Sequence, residues 1–293
     1  EAYDTSLTGG KVLWPCLYTS LLACTYNKEI MEERGTLMAN QALFLDQTVI
    51  WTGGGNLHRT PYGGRNAEYY SEDANLCYMV GSIELPAMER LGILGGIKHF
   101  AANDQESNRE GVSTFYTEQA FREGALRGFE GAIRKGKVNA VMQAFNRQGV
   151  VYSSSCYELN VTVLREEWGF KGEAITDASS GITTGYKSHY TTSMANGTDI
   201  YCLDGESVGG GIIAKYIKDN DDGYLLGWLR TAARHTAYAL SRSAAVNGLD
   251  DNTVIRRLAD NDSGRYLRGR RARSGRDRTV RALETPPFRG KGR

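Results

Sequence analysis

The chain has 293 residues, 41% of them apolar and 24% charged, with a formal net charge of +1 and a mean hydropathy of −0.43. This composition excludes an intrinsically disordered chain and supplies enough apolar side chains for a sizeable core. The sequence has no stretch near the ~20 apolar residues of a membrane span and lacks the layout of a secretion signal, which argues against a membrane partner and favours a cytoplasmic location.

Short apolar runs alternate with longer stretches of helical spacing between residues 27 and 245. The predicted strands are 48–51, 92–97, 139–144, 173–176 and 199–203. The predicted helices are 28–43 behind an Asn27 cap, 75–90, 117–134, 157–168, 211–219 and 225–245. This repeat predicts an α/β fold, in which a parallel sheet is covered by helices. A (β/α)8 TIM-like barrel is the first expectation at this length, and an open doubly wound sheet is the alternative.

The end of the chain differs in composition from the rest. Residues 251–293 hold 13 Lys and Arg against 5 Asp and Glu, whereas the preceding 250 residues have a net charge of −7. Because the basic block has no apolar periodicity, we predict one domain over residues 1–249 and a disordered basic tail over 250–293. A nucleic-acid-binding arm is the alternative, but the arginine run has no interleaved aromatic side chains, which disfavours a nucleic-acid partner.

Cationic side chains follow the predicted strands. In a parallel barrel the loops after the strands form one face, where reactive groups gather. Arg65, Lys98, His99 and Arg109 all fall in such positions. Each cation alone is typical of a structural ion pair, but four on one predicted face indicate a site for an oxygen-rich ligand such as a sugar.

Two local patterns favour structural interpretations. The glycine triplet 53–55 lacks the Lys-Ser/Thr of a P-loop and the spacing of a dinucleotide fingerprint, so it predicts a tight turn. His58, His99 and His189 are not spaced as metal ligands, so we predict no metal site.

Asp177 directly follows the strand predicted at 173–176. A carboxylate at this position can cap a helix. It can also be a nucleophile, provided that nearby cations keep it ionised and an acid lies across the scissile bond. The spacing alone leaves both interpretations open.

Four long segments of the sequence resemble glycoside hydrolase family 3, which contains many β-glucosidases and β-xylosidases. They are NLHRTPYGGRNAEYYSED (56–73), IKHFAANDQESNREGVSTFYTEQAFRE (97–123), VMQAFNRQG (141–149) and LREEWGFKGEAITD (164–177). Weaker similarity extends from about residue 14 to residue 249 and stops at the basic tail. The resemblance therefore implies a catalytic (β/α) barrel over residues 1–249.

The resemblance also implies an activity: a retaining, exo-acting β-glycosidase that removes terminal β-D-glucosyl or similar residues from an oligosaccharide or β-glucoside. Asp177 corresponds to the nucleophile. The expected sugar-binding residues are Arg65, Lys98, His99, Arg109 and Phe145. Two carboxylates suffice for this reaction, so no metal or organic cofactor is expected.

The sequence departs from the family pattern at several points. Phe145 stands where many members carry Tyr, and Ala178 stands where many carry Trp, which affects the aglycone side of the site. Glucosidase-type members take their acid/base Glu from a separate α/β sandwich domain and a sugar-binding Asp from the first barrel strand. We therefore expect a barrel without its first strand, a missing sandwich domain as partner, and an unknown acid/base, with Glu106 and Asp104 as fallback candidates. The alternative function is an inactive truncated or sugar-binding remnant of such an enzyme.

Overall fold

The computed structural model describes residues 16–178, 190–202, 211–220, 222–247, 254–257 and 266–269. The strands in these ranges are β1 (Val49–Gly54), β2 (Leu94–Phe100), β3 (Ser113–Thr114), β4 (Ala140–Gln143), β5 (Arg147–Gln148), β6 (Val151–Tyr152), β7 (Glu173–Ile175), β8 (Val254–Arg257) and β9 (Tyr266–Gly269). The helices are α1 (Thr19–Cys24), α2 (Lys28–Phe44), α3 (Ala74–Glu89), α4 (118–135), α5 (Glu158–Glu167), α6 (Tyr190–Ala195), α7 (Gly211–Asn220), α8 (Gly223–Ser241) and α9 (Ala244–Asn247). The turns of α4 alternate between α and π type, and α5 is a π-type helix.

Helix starts follow the capping residues of the sequence. Asn27 Oδ1 accepts a hydrogen bond from the amide of Ile30 at 3.0 Å, as the predicted cap requires. Asp73 Oδ1 accepts one from the amide of Leu76 at 2.8 Å at the start of α3. Each side-chain oxygen satisfies an amide that the first helical turn leaves without a partner. The predicted helices 28–43 and 75–90 are therefore confirmed to within one residue at each end.

The central sheet has four parallel strands in the order β1-β2-β4-β7. Beyond β7, Ile200 forms an isolated parallel bridge with Ile175. Strand order thus follows chain order, as in a barrel, and does not reverse at a switch point as in a doubly wound sheet. The α/β architecture and its parallel strands are confirmed.

The main core lies between one face of this sheet and the helices. Ile97, Val141 and Ala174 point from three successive strands into a cluster that includes Leu85 of α3 and Phe129 of α4. Because side chains alternate across a strand, their neighbours point to the other face. A second, smaller cluster joins the first residues of β2 and β4 to α8, namely Leu94, Ala140 and Ala239. The amino ends of these strands are thereby covered, which leaves the carboxyl ends for the site.

A closed barrel is not seen within the described ranges. There β1 pairs only with β2, and of the predicted strand 199–203 only Ile200 is paired. Residues 203–210 lie outside the described residues. A barrel needs every strand to have two neighbours, so the described sheet is open and barrel-like in order only.

The basic tail is described at two short segments. There β8 and β9 pair antiparallel, with Val254 opposite Gly269. The Val, Ile and Tyr residues of these two segments favour strands. Disorder of the tail as a whole stays a prediction. The rest of the tail lies outside the described residues. None of the helices in the described ranges has the length and apolar character needed to cross a bilayer.

Candidate active site

The predicted site residues lie at the carboxyl ends of the central strands. The sequence predicted a strand ending at Ile97, but β2 continues to Phe100, so Lys98 and His99 belong to the strand itself. Arg65 lies in the loop after β1, and Arg109 lies in the loop after β2. Asp177 follows the end of β7 by two residues. Parallel strands present these ends on one side, which brings the five groups together.

The glycine triplet serves close packing, and the predicted tight turn is wrong. Gly53 and Gly54 are part of β1. A Cβ on Gly54 would lie 2.3 Å from the carbonyl oxygen of Glu68, and one on Gly55 would lie 2.7 Å from the ring of Phe129. The missing side chains let the loop after β1 fold back over the strand, where the amide of Tyr70 donates to Gly54 O at 3.1 Å. This return positions residues 65–69 over the site.

Asp177 lies among the predicted cations. Its Oδ2 is 3.4 Å from His99 Nε2 and 3.8 Å from Arg109 Nη1, and its side chain is 14% exposed. Oδ1 accepts a hydrogen bond from the amide of Ala178 at 2.7 Å, whereas Oδ2 accepts none from any described residue. The helix-cap alternative concerns residues 179–189, which lie outside the described residues.

Burial has the largest effect on the pKa of Asp177. It raises the pKa of this carboxyl above its ordinary value, and the Ala178 amide and the cations Arg109, Arg65 and Lys98 lower the pKa by less. The cations thus act in the direction that an ionised nucleophile requires, but by less than burial acts against it. The field only limits an upward shift that desolvation causes.

His99 is held from three sides. Its backbone amide donates to Asn56 Oδ1 at 2.8 Å, and Asn56 Nδ2 donates to the carbonyl of His99 at 3.1 Å. The ring places Nδ1 3.1 Å from the hydroxyl of Tyr69 and Nε2 toward Asp177. Burial, and then the charges of Lys98, Arg65 and Arg109, lower the pKa of His99 well below its usual value, so the ring is neutral at neutral pH.

Two glutamates hold the cations in place. Glu68 accepts a hydrogen bond from Arg65 Nε at 2.6 Å and lies 2.5 Å from Lys98 Nζ. Glu106 lies 3.1 Å from Arg109 Nη1 and 3.7 Å from Arg65 Nη1. No pattern in the sequence indicated a role for Glu68, although this residue lies in the GRNAEYYSED segment, three positions after Arg65.

The ring of Phe145 packs against the guanidinium of Arg109. Phe145 is 1% exposed, and the Arg109 guanidinium carbon lies 4.5 Å from the ring centroid. This is the geometry of a cation–π contact. The structure thus places the predicted sugar-contact residue under Arg109, which faces Asp177.

The fallback acid/base candidates are both engaged. Asp104 accepts hydrogen bonds from the amide of Leu57 and the hydroxyl of Tyr116, each at 3.1 Å, and Glu106 pairs with Arg109. His58 is bound through Nε2 to the carbonyl of Tyr69 at 2.9 Å, and His189 lies outside the described residues. Among the residues that the structure describes, no three His, Cys, Asp or Glu side chains are grouped so as to hold a metal ion.

Comparison with known proteins gives a consistent result. Residues 17–221 match the glycosyl hydrolase family 3 N-terminal domain. The chain is 35% identical over 201 residues to a beta-glucosidase of Ruminococcus albus, covering 67% of this chain and 21% of that protein. It is 36% identical over 173 residues to a beta-glucosidase of Rhizobium radiobacter, covering 59% and 21%. The chain therefore spans about a fifth of the length of these curated relatives.

Similarity extends to solved structures. Beta-glucosidase 3B from Thermotoga neapolitana, solved in complex with glucose, superposes with a TM-score of 0.71 at 29% identity. The match covers 84% of this chain and 37% of that chain. The described fold is thus similar to the corresponding part of this larger protein.

Proposed function

Because this chain belongs to glycoside hydrolase family 3, we propose that it carries the nucleophile and sugar-binding side chains of a retaining, exo-acting β-glycosidase. One observation carries the proposal. The buried Oδ2 of Asp177 accepts no hydrogen bond from the described residues, yet it faces His99 Nε2 and Arg109 Nη1 at 3.4 and 3.8 Å. An oxygen with an available lone pair among donors suits attack on an anomeric carbon.

The reaction has two displacements. Asp177 Oδ2 bonds to C1 of the sugar as the bond from C1 to the aglycone oxygen breaks, and that oxygen takes a proton from an acid or departs as an anion. Water then bonds to C1, loses a proton to a base, and the Asp177 carboxylate departs. Two inversions give net retention. Because burial raises the pKa of Asp177, its carboxylate is more basic and therefore a stronger nucleophile for the first step.

The cations hold the sugar. We assign Arg65, Lys98, His99 and Arg109 as donors to its hydroxyls, with charges that are oriented beforehand by Glu68 and Glu106. Donors that are fixed before binding cost little reorganisation as charge develops in the transition state. The named activities of the relatives, mostly beta-glucosidase, support a terminal β-D-glucosyl group as the substrate.

We assign the acid/base to none of the residues that the structure describes. Asp104 and Glu106 are engaged with neighbouring donors, and the chain spans about a fifth of its curated relatives. We therefore assign the acid/base to a further domain of the α/β sandwich type, the proposed partner of this site. Without that domain, turnover of natural glucosides should fall by roughly 10²–10⁴-fold, whereas aryl glucosides with good leaving groups should be affected less.

An activated fluorosugar tests the nucleophile directly. The chain is incubated with 2,4-dinitrophenyl 2-deoxy-2-fluoro-β-D-glucoside, and we expect release of one dinitrophenolate and a fluoroglucosyl ester on Asp177, located by peptide mass spectrometry. Asp177→Ala should form no ester and should lose hydrolysis of an activated aryl β-glucoside. An ester on another residue, or unchanged hydrolysis by Asp177→Ala, would refute the assignment. Glucose binding without ester formation would support the sugar-binding remnant instead.

A further inference from the structure

A chain of polar contacts runs behind the nucleophile. Asn103 Nδ2 lies 3.1 Å from the hydroxyl oxygen of Tyr69, and that oxygen lies 3.1 Å from His99 Nδ1. On the other side of the ring, His99 Nε2 lies 3.4 Å from Asp177 Oδ2. Asn103, Tyr69 and His99 are each at most 2% exposed. Each contact is therefore made away from solvent, where the identity of donor and acceptor matters most.

The hydrogens along this chain can be placed in only one favourable way. The Asn103 amide nitrogen is a donor, so the Tyr69 oxygen accepts there and has its own hydrogen left for His99. Burial raises the pKa of Tyr69, so the phenol keeps this hydrogen. The only acceptor on a neutral imidazole is its unprotonated nitrogen, and the Tyr69 hydroxyl faces Nδ1. The ring hydrogen is then on Nε2.

The opposite tautomer of His99 would be unfavourable at both ring nitrogens. With the hydrogen on Nδ1, the hydroxyl hydrogen of Tyr69 would have no acceptor on the ring. The lone pair of Nε2 would also face the carboxylate oxygen of Asp177, two acceptors with no hydrogen between them. A buried polar group left without a partner loses the hydrogen bonds that it would make in water, which destabilises this tautomer. The charged groups around the ring, Lys98, Arg65 and Arg109 with Asp177, supply no other acceptor for Nδ1.

We infer that Tyr69 is a positioning residue that fixes His99 as the Nε2–H tautomer, so that a neutral donor points at Asp177 and at the sugar hydroxyl beside it. The part concerning the sugar rests on the proposed function, whereas the tautomer does not. A neutral donor orients the nucleophile without forming a full ion pair, which would reduce its basicity. Asn56 fixes the His99 backbone and Tyr69 fixes the ring, so the two have separate tasks.

Nitrogen NMR of chain labelled with ¹⁵N-histidine tests the inference. In the wild type, His99 should show a protonated Nε2 and an unprotonated, hydrogen-bonded Nδ1, with its signals identified by their loss in His99→Gln. In Tyr69→Phe, Nδ1 should move toward the position of an unprotonated nitrogen without a hydrogen bond. Tyr70→Phe is the matched control, because the Tyr70 hydroxyl donates to Glu84 Oε2 at 2.7 Å and should not affect His99.

A second substitution keeps the test decisive if Tyr69→Phe does not fold. Chain made with fluorotyrosine has more acidic phenols, which donate more strongly, so Nδ1 should move in the direction opposite to that in Tyr69→Phe. A wild-type His99 protonated on Nδ1 overturns the inference, as does an Nδ1 signal that neither substitution moves.

Sugar binding gives the functional readout. Glucose affinity should fall roughly 2-fold to 10-fold in Tyr69→Phe, the range expected for loss of one neutral hydrogen bond, and should be unchanged in Tyr70→Phe. If no form of the chain binds glucose, the proposed function fails while the tautomer result stands.

Discussion

The guanidinium of Arg109 lies over the ring of Phe145, with the guanidinium carbon 4.5 Å from the ring centroid. The same guanidinium contacts Glu106 and faces Asp177. The Phe145 ring thus helps to hold the Arg109 guanidinium in a position where the carboxylates of Glu106 and Asp177 also attract it. The identity of residue 145 therefore bears on sugar binding through Arg109.

Phe145→Leu should weaken glucose binding about 5-fold, because a cation–π contact worth ~1 kcal/mol is lost and Arg109 gains freedom. Isothermal titration calorimetry measures the affinity. Tyr78→Leu is the matched control: it removes a similar contact, with Arg127 4.0 Å from the Tyr78 centroid, on the outer helices. Equal affinity in Phe145→Leu and the wild type would show that Arg109 does not depend on the ring.

Glu106→Gln separates a positioning role from acid catalysis. Glu106 contacts both Arg65 and Arg109, so the neutral variant should lower kcat/KM about equally for aryl glucosides with good and poor leaving groups. Loss of a general acid would act differently, reducing the rate for poor leaving groups by roughly 10²–10⁴-fold and sparing good ones. The measurement is a leaving-group series on variant and wild type. A steep dependence on the leaving group would identify Glu106 as the acid.

Gly54→Ala should destabilise the fold by about 1–3 kcal/mol, because its Cβ would overlap the carbonyl oxygen of Glu68. The displaced loop carries Arg65, so glucose affinity should fall as well. Gly227→Ala is the control, since a Cβ there meets nothing within 4 Å in α8. It should stabilise the chain by about 0.5–1 kcal/mol. Urea denaturation measures both, and a neutral Gly54→Ala would contradict the packing argument.

Glu173 should make stability depend on pH. It is 4% exposed, and burial, followed by the charge of Asp199, raises its pKa to about 7. The folded state then holds a proton that the unfolded state releases near pH 4.5, so stability falls as the pH rises from about 4.5 to about 7 and is constant above that range. The expected loss is on the order of 3 kcal/mol.

Glu173→Gln should remove the loss of stability that ionisation of Glu173 causes. The variant should therefore be more stable than the wild type at pH 8 and equally stable near pH 4.5. Glu89, whose pKa burial also raises to about 7, should leave a residual decline of the same sign. Glu118→Gln, an exchange at a side chain that is 77% exposed, is the control for net charge. The measurement is the urea denaturation midpoint of each variant and of the wild type at pH 8 and at pH 4.5. A variant that declines as steeply as the wild type would place the pH dependence elsewhere.

Local patterns predicted most of the scaffold. The Asn27 cap and the apolar spacing of α4, where Ala125, Phe129 and Ile133 are buried, were visible because they depend on residues close in sequence. The glycine triplet was misread for the opposite reason. Its structural role depends on the Glu68 carbonyl and the Phe129 ring, which are distant in sequence and lie next to the triplet only in the folded chain.

The candidate site divides in the same way. The sequence placed Arg65, Lys98, His99 and Asp177 on one face from the rule that parallel strands end together. It gave no indication of Tyr69 behind His99, because a contact between a loop residue and a strand residue thirty positions away has no local signal. The role of Glu68 between Arg65 and Lys98 was hidden likewise.

The sequence by itself determined where the strands and the helices between them lie along the chain, and the kinds of side chain that follow the strands, since periodicity is a property of the chain. The order of the strands in the sheet came from the tertiary structure. The tertiary structure alone decided how deeply Asp177 is buried, which atoms face its oxygens, and that Phe145 lies under Arg109. Desolvation and hydrogen-bond partnership depend on every atom nearby, and those atoms come from distant parts of the chain.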